Sequence, residues 1–221
     1  VVRFENSDVL NRLESVLEKL HEVSAARKME LESDRDQAPL PFGGGDRGGV
    51  LSPEQSLLLQ KITTSSPFFL LWGPPGTGKT SVMLRALVEW VLQETNDNLL
   101  LLAYTNRAVD EICESLDALG GGIREQYLRM GSRFSTAERF RDQLLSNRIA
   151  GVSTRAELRA VLEPCRIFAS TVASFAQNDK LLEIKKFQRL IVDEASQILE
   201  PQLIGLLTRF EHFVLIGDHR Q

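Results

Sequence analysis

Five short runs of consecutive apolar residues punctuate the chain, at 68–72, 99–104, 166–169, 190–192 and 213–216. Runs of this length without polar alternation are what a strand needs when both of its faces are buried. Between them lie segments whose apolar residues recur three and four apart, the spacing of an amphipathic helix, at 79–94, 108–119 and 195–210. A shorter helix is predicted over 54–62, where Ser52-Pro53 supplies an N-cap and a proline at the first helical position. Strand and helix in alternation predict an α/β fold, a mostly parallel sheet with helices on both faces.

Two regions depart from this rhythm. Residues 8–32 carry Val9, Leu10, Leu13, Val16, Leu17, Leu20 and Val23 on one helical face, and predict a single helix. Pro39, Pro41 and five glycines between 37 and 49 then predict a flexible joint. From 120 to 166 the pattern turns helical and rich in arginine, with Arg124, Arg129, Arg133, Arg139 and Arg141 in its first half. There Thr154 and Glu157 form a capping box ahead of Leu158, Val161 and Leu162. The organisation expected is a helical appendage over 1–36, a linker over 37–49, and one α/β domain over 50–221 with a small helical insert at about 121–165.

Composition changes the picture little. With 43% hydrophobic and 25% charged residues among 221, the chain has the make-up of a globular protein. A formal net charge of −4 excludes a general attraction for nucleic acid, so any such contact must come from local patches. Cys113 and Cys165 stand far apart, and His21, His212 and His219 form no ligand cluster. The cysteines fit buried thiols of a reducing compartment, the cytoplasm or a eukaryotic nucleus. No apolar run is long enough to span a membrane, so no membrane partner is expected. The chain opens at Val1 and stops inside a motif, as a piece of a longer protein would.

The chemistry is concentrated after the first apolar run. Gly73-Pro74-Pro75-Gly76-Thr77-Gly78-Lys79-Thr80 follows a strand and opens a helix, the context in which a P-loop works. Gly73, Gly76 and Gly78 let successive backbone N–H groups turn inward on phosphate oxygens, aided by the positive end of the helix. Pro74 and Thr77 complete the cradle, Lys79 supplies charge to the β- and γ-phosphates, and the Thr80 hydroxyl is a ligand for Mg. ATP with Mg is the implied cofactor pair. At the end of another buried run stand Asp193 and Glu194. Asp193 is placed to hold the metal ion, and Glu194 to act as general base on the attacking water. The paired acids favour water as nucleophile over a kinase-like transfer to a small molecule.

Asp193-Glu194-Ala195-Ser196-Gln197 and Leu215-Ile216-Gly217-Asp218-His219-Arg220-Gln221 resemble motifs II and III of superfamily 1 helicases, most of all the up-frameshift-like type 1B group. Gly73 to Thr80 matches motif I. The segment around Ala103-Tyr104-Thr105-Asn106-Arg107 resembles motif Ia, where the family usually has Pro-Ser-Asn, and Phe168-Ala169-Ser170-Thr171 resembles motif Ic. Leu51-Ser52-Pro53-Glu54-Gln55 is similar to the Q motif. The resemblance runs from about Leu51 to Gln221 and implies a RecA-like P-loop domain, the first of two in a nucleic-acid motor.

It further implies that Gln55 reads adenine, that Gln221 senses the γ-phosphate as a catalytic residue, and that Thr105, Asn106, Ser170 and Thr171 contact a nucleic-acid backbone. Local readings stand beside these: Gln55 as a solvated helix residue, and the short polar residues as N-caps. The arginine block fits either the family's helical insert or a solvated face. The expected partners are single-stranded DNA or RNA, held weakly by this piece, and a second RecA-like domain in cis that is absent from the chain. Two functions remain open: an ATP-dependent helicase or translocase, and an ATP-gated nucleic-acid-binding module that does not unwind.

Overall fold

A computed structural model describes residues 51–73, 79–178 and 181–218. The helix and joint expected within 1–49, and P-loop residues Pro74, Gly76, Thr77 and Gly78, lie outside the described residues, as does Gln221. Six strands form one all-parallel sheet: β1 (Phe68–Trp72), β2 (Leu99–Ala103), β3 (Tyr127–Arg129), β4 (Ile167–Thr171), β5 (Arg189–Val192) and β6 (His212–Gly217). Their order across the sheet is β1-β6-β5-β2-β4-β3. The α/β class read from the apolar runs is the fold observed.

Successive side chains of a strand point to opposite faces, and the sheet uses this to build two cores. Leu99, Leu101 and Ala103 of β2 face one way, with Phe69, Leu71, Ile191 and Ile216. Leu100 and Leu102 face the other, with Phe168, Leu190, Val192 and Phe213. Helices α1 (Pro53–Thr64), α2 (Arg85–Glu94) and α3 (Asn106–Asp117) cover the first face through Leu59, Leu87, Val88, Val109, Ile112 and Leu116. Helices α4 (Arg155–Leu162), α5 (Val172–Ala176) and α6 (Glu200–Leu207) lie on the second, through Leu162, Phe175, Leu206 and Leu207.

Several boundaries shift for local reasons. The helix expected over 79–94 starts with a wide π-type turn at Lys79–Leu84 before α2. The helix expected over 195–210 is divided: a 3-10 turn at Ala195–Gln197 is separated from α6, whose second residue is Pro201. A proline is tolerated in the first turn of a helix but not in its interior, so it marks a start here. The capping box at Thr154 and Glu157 forms as expected.

The largest departure lies in the arginine-rich block, which the pattern gives as helical. After a single helical turn at Ile123–Gln126 comes a strand, β3, paired to β4 at the sheet's edge. The strand is three residues long and one of them is arginine, so it carries no apolar signature. Arg129 is fully buried. Its Nε donates to Asp110 Oδ1 at 2.9 Å and its Nη1 to the Thr136 hydroxyl at 2.6 Å. Its Nη2 reaches the carbonyls of Asn106 and Ser135, each at 3.4 Å. Gly131 makes room for it: a Cβ there would stand 2.6 Å from Arg129 Nη1, on a backbone with φ of +149°. Arg166 is a second internal brace, donating to the carbonyls of Val91, Leu92, Thr95 and Asp97 where α2 ends.

Two outcomes follow for stability and reactivity. Arg129→Ala leaves Asp110 without its buried partner and lowers unfolding free energy by about 3–5 kcal/mol, read as a shift in the urea midpoint. Burial pushes the Cys113 thiol up to about 12 and raises that of Cys165, so neither forms thiolate in quantity at pH 8. Alkylation by iodoacetamide at that pH is therefore slow in the folded chain and fast in urea; mass spectrometry of timed samples checks it.

Candidate functional site

Because every strand runs the same way, the carboxyl ends share one edge of the sheet, where open α/β sheets bind ligands. Register fixes which residues meet there. Trp72 of β1 lies opposite Gly217 of β6, Val192 of β5 opposite Leu215 of β6 and Leu102 of β2, and Ala103 of β2 opposite Thr171 of β4. The residues that follow these positions are the ones the motifs single out.

Lys79 and Thr80 begin the helix that leaves β1. The Thr80 hydroxyl donates to Asp193 Oδ2 at 2.6 Å, joining residues 113 apart in sequence. Asp193 is buried, at 5% exposure, and its Oδ1 accepts the Glu194 N–H at 2.9 Å. Both oxygens of this carboxylate are thus aimed. Glu194 takes φ of 53° and ψ of 34°, a left-handed conformation rare outside glycine. Strain of this kind persists where the surroundings over-determine the backbone. Its Oε2 accepts the Thr105 hydroxyl at 3.3 Å. Burial holds the Glu194 carboxyl above the usual carboxylate range and the charge of Asp193 pushes the same way, while the hydrogen bonds from Thr105 oppose them.

The loops after β5 and β6 are packed together. Asp218 N–H donates to the Ser196 hydroxyl at 3.4 Å, and a Cβ on Gly217 would lie 3.4 Å from Ser196 N. In front of them opens a cavity of about 860 Å³. Thr80, Asp193, Glu194, Ser196 and Asp218 line it, together with Arg85, Arg107 and Arg139. The size is that of a cofactor-sized ligand site. Thr80 and Asp193 fit a hard divalent ion: they offer two oxygens already side by side, and such an ion completes its shell with phosphate oxygens and water.

The remaining expected site residues are differently engaged. Gln55 closes the capping box of α1, its Oε1 accepting the Ser52 N–H at 2.9 Å and its own N–H donating to the Ser52 hydroxyl at 3.2 Å. The amide oxygen meant for adenine is therefore used by the helix. Thr105 caps α3, accepting the Ala108 N–H at 3.0 Å, and Thr171 caps α5, accepting the Ser174 N–H at 3.1 Å. Ser170 is fully buried, Thr171 nearly so, and the Ser170 hydroxyl donates to the Thr171 carbonyl at 3.0 Å. Those two side chains face inward, shaping the turn after β4. Asn106 is half-buried, its carbonyl held by Arg129, while Arg107 and Tyr104 are exposed beside it. Sequence reading missed the Thr105–Glu194 contact and the part of Ser196. Both are polar residues just past strand ends, a signal that places them on the edge without saying what they touch.

Among the described residues, no helix is long and apolar enough to cross a membrane. A family described as AAA domain matches residues 59–221. The DNA replication ATP-dependent helicase/nuclease JHS1 of Arabidopsis thaliana is 34% identical over 171 residues, 77% of this chain and 12% of that protein. The regulator of nonsense transcripts 1 homolog of Neurospora crassa is 27% identical over 189 residues, 73% of this chain and 17% of that protein. The chain thus spans less than a fifth of the length of these relatives. The UvsW helicase of bacteriophage T4 shares the fold, with a TM-score of 0.54 at 12% identity over 82% of this chain and 57% of that one. The motifs met in order along the chain, the parallel sheet that gathers them and the family match over most of its length agree: the chain belongs to the AAA domain family, as a RecA-like motor domain of the superfamily 1 helicase type.

Proposed function

We propose that the chain is the first motor domain of an ATP-driven helicase or translocase acting on single-stranded nucleic acid, working with a second RecA-like domain of the same full-length protein. The observation that carries this reading is the Thr80–Asp193–Glu194 arrangement, a hydroxyl and a carboxylate in contact with a second acid on the next residue. A kinase needs an acceptor hydroxyl beside the γ-phosphate. Here the group next to the metal-binding pair is a carboxylate suited to taking a proton from water.

In this reading the P-loop residues Gly73, Pro74, Gly76, Thr77, Gly78 and Lys79 bind the phosphates, and Thr80 and Asp193 hold Mg. When bound, Mg neutralises charge on the β- and γ-phosphates. Glu194 accepts the proton of the water that attacks the γ-phosphorus, and its elevated basicity from burial suits that task. Gln55 contacts adenine by exchanging its cap bond or through its NH₂, and Gln221 monitors the γ-phosphate. Nucleic acid crosses the loop at Thr105–Asn106, with Arg107 alongside, over a turn shaped by Ser170 and Thr171. The relatives named for DNA replication favour DNA, and such a protein works in the nucleus or cytoplasm. The second reading, an ATP-gated module that binds without unwinding, uses the same site; strand displacement by the full-length protein separates the two.

Lys79→Ala removes a charge-assisted contact of about 1.5–3 kcal/mol and weakens ATP binding tenfold or more, measured with a fluorescent ATP analogue. Unchanged affinity would remove the P-loop assignment. Glu194→Gln in the full-length protein keeps ATP affinity and slows hydrolysis by roughly a hundredfold or more, because the base is lost while the phosphate cradle stays. A phosphate-release assay at saturating ATP reads this directly, and a normal rate would assign the base elsewhere.

A further inference from the structure

Phe134 is 98% exposed, on the loop between β3 and the 3-10 turn that starts at Glu138. The loop that carries it is stapled to itself. The Ser135 N–H donates to the Ser132 hydroxyl at 3.2 Å, and the two serine hydroxyls meet at 2.9 Å. The Thr136 hydroxyl donates to the Ser132 carbonyl at 2.8 Å. Its far end is fixed to α3, where the Ala137 N–H donates to Asp110 Oδ2 at 3.1 Å. Arg133 and Phe134 stand at the tip of this closed turn, both exposed. Single apolar side chains are common on protein surfaces, but this one is set on a rigid mount.

The sheet decides where the mount stands. Strands β2, β4 and β3 are neighbours, so the loops after them form a row on the carboxyl edge. Two interstrand spacings, about 10 Å, separate the first strand of the row from the last. Arg129 ties the two ends together, because one nitrogen, Nη2, reaches both the Asn106 carbonyl after β2 and the Ser135 carbonyl after β3. The first loop exposes Tyr104 and Arg107, and the last exposes Phe134 and Arg133. No carboxylate among the described residues pairs with Arg133. Each end of the row thus offers a ring and a guanidinium. Single strands bind to such sets, the ring taking the face of a base and the cation a phosphate.

We propose that Phe134 is a base-stacking residue for single-stranded nucleic acid, and that the strand runs from the Thr105–Asn106 loop over the turn after β4 to the tip of the β3 loop, with Arg133 on the adjoining phosphate. This deepens the reading above and rests on it, in taking the loop after β2 as a strand contact. A protein partner needs a wider apolar surface than one ring, and the neighbours of Phe134 in the turn are Ser132, Arg133 and Ser135. A planar base needs only the ring. Since the turn is fixed beforehand, little freedom is lost on stacking. Every base has a π face, so the contact is indifferent to sequence.

The test uses the full-length protein and two fluorescently labelled single strands of equal length, one of mixed sequence and one abasic throughout. Anisotropy titrations at two salt concentrations give Kd for the wild type and the variants. Phe134→Ala should weaken binding of the ordinary strand about fivefold or more. The dependence of its Kd on salt should stay as in the wild type, since no phosphate contact is lost. On the abasic strand the two proteins should bind alike. Phe134→Tyr keeps the ring and should bind the ordinary strand as the wild type does. Arg133→Ala should instead reduce the salt slope by about 1 on both strands. A loss in Phe134→Ala that is equal on both strands would overturn the proposal, and so would unchanged affinity for the ordinary strand, which would give the ring to a protein partner. A wild type that binds neither strand would remove the strand reading itself, and the proposal with it; a wild type that binds while Phe134→Ala binds equally well removes Phe134 alone.

Discussion

The contact between the Thr80 hydroxyl and the Asp193 carboxylate joins the first motif to the second, and the other site groups take their bearings from it. It exists because β1 and β5 end on one edge of a parallel sheet with β6 between them. Asp193 then fixes Glu194 through its N–H, Glu194 meets Thr105 from β2, and the turn after Glu194 brings Ser196 against the end of β6. Moving any one strand along its register by a residue would break this chain of contacts, and would also exchange the two faces of the sheet. Core packing and site geometry are therefore held by the same register.

The arginine-rich block shows how charge can be abundant and yet committed. Arg124 pairs with Asp117 and Arg139 with Glu114, Arg129 is buried against Asp110, and Arg166 closes the end of α2. The first three tie β3 and the residues around it to α3, and Arg166 ties the residue before β4 to the end of α2. At the carboxyl edge Arg107 stands beside the Thr105 loop, where it shares an exposed pair with Glu111. Exposed pairs of that kind cost little to break, so Arg107 can trade its carboxylate for a phosphate where Arg129 cannot.

Much of the fold was legible in the sequence because buried parallel strands are uniformly apolar, and Thr80 and Asp193, which the structure brings into contact, were singled out because their chemistry fixes both residue type and spacing. The rest was hidden for identifiable reasons. β3 carries a buried arginine whose partner, Asp110, sits on another element, and no local pattern announces that pairing. The break before α6 did have a signal in Pro201, which the apolar run around it masked. Gln55 was read for its amide chemistry, while the Ser52-Pro53-Glu54-Gln55 spacing that makes it a cap was equally present. The meeting of Thr105 and Glu194 depends on two strands lying side by side, which is a property of topology and not of any stretch of chain.

The position of β6 has a consequence for how the domain comes into being. Among the described residues, β1 pairs with β6 alone, and β6 comes last of the six strands in chain order. During synthesis the other four strands, β2 to β5, can pair among themselves while β1 waits without a neighbour. At about 5–20 residues per second, the interval between the two strands leaving the ribosome is on the order of ten seconds. Through that interval β1 lacks the strand it pairs with. The segment that completes the described sheet is thus the last of its strands to be made, and a chain interrupted before His212 would leave β1 without the strand it pairs with.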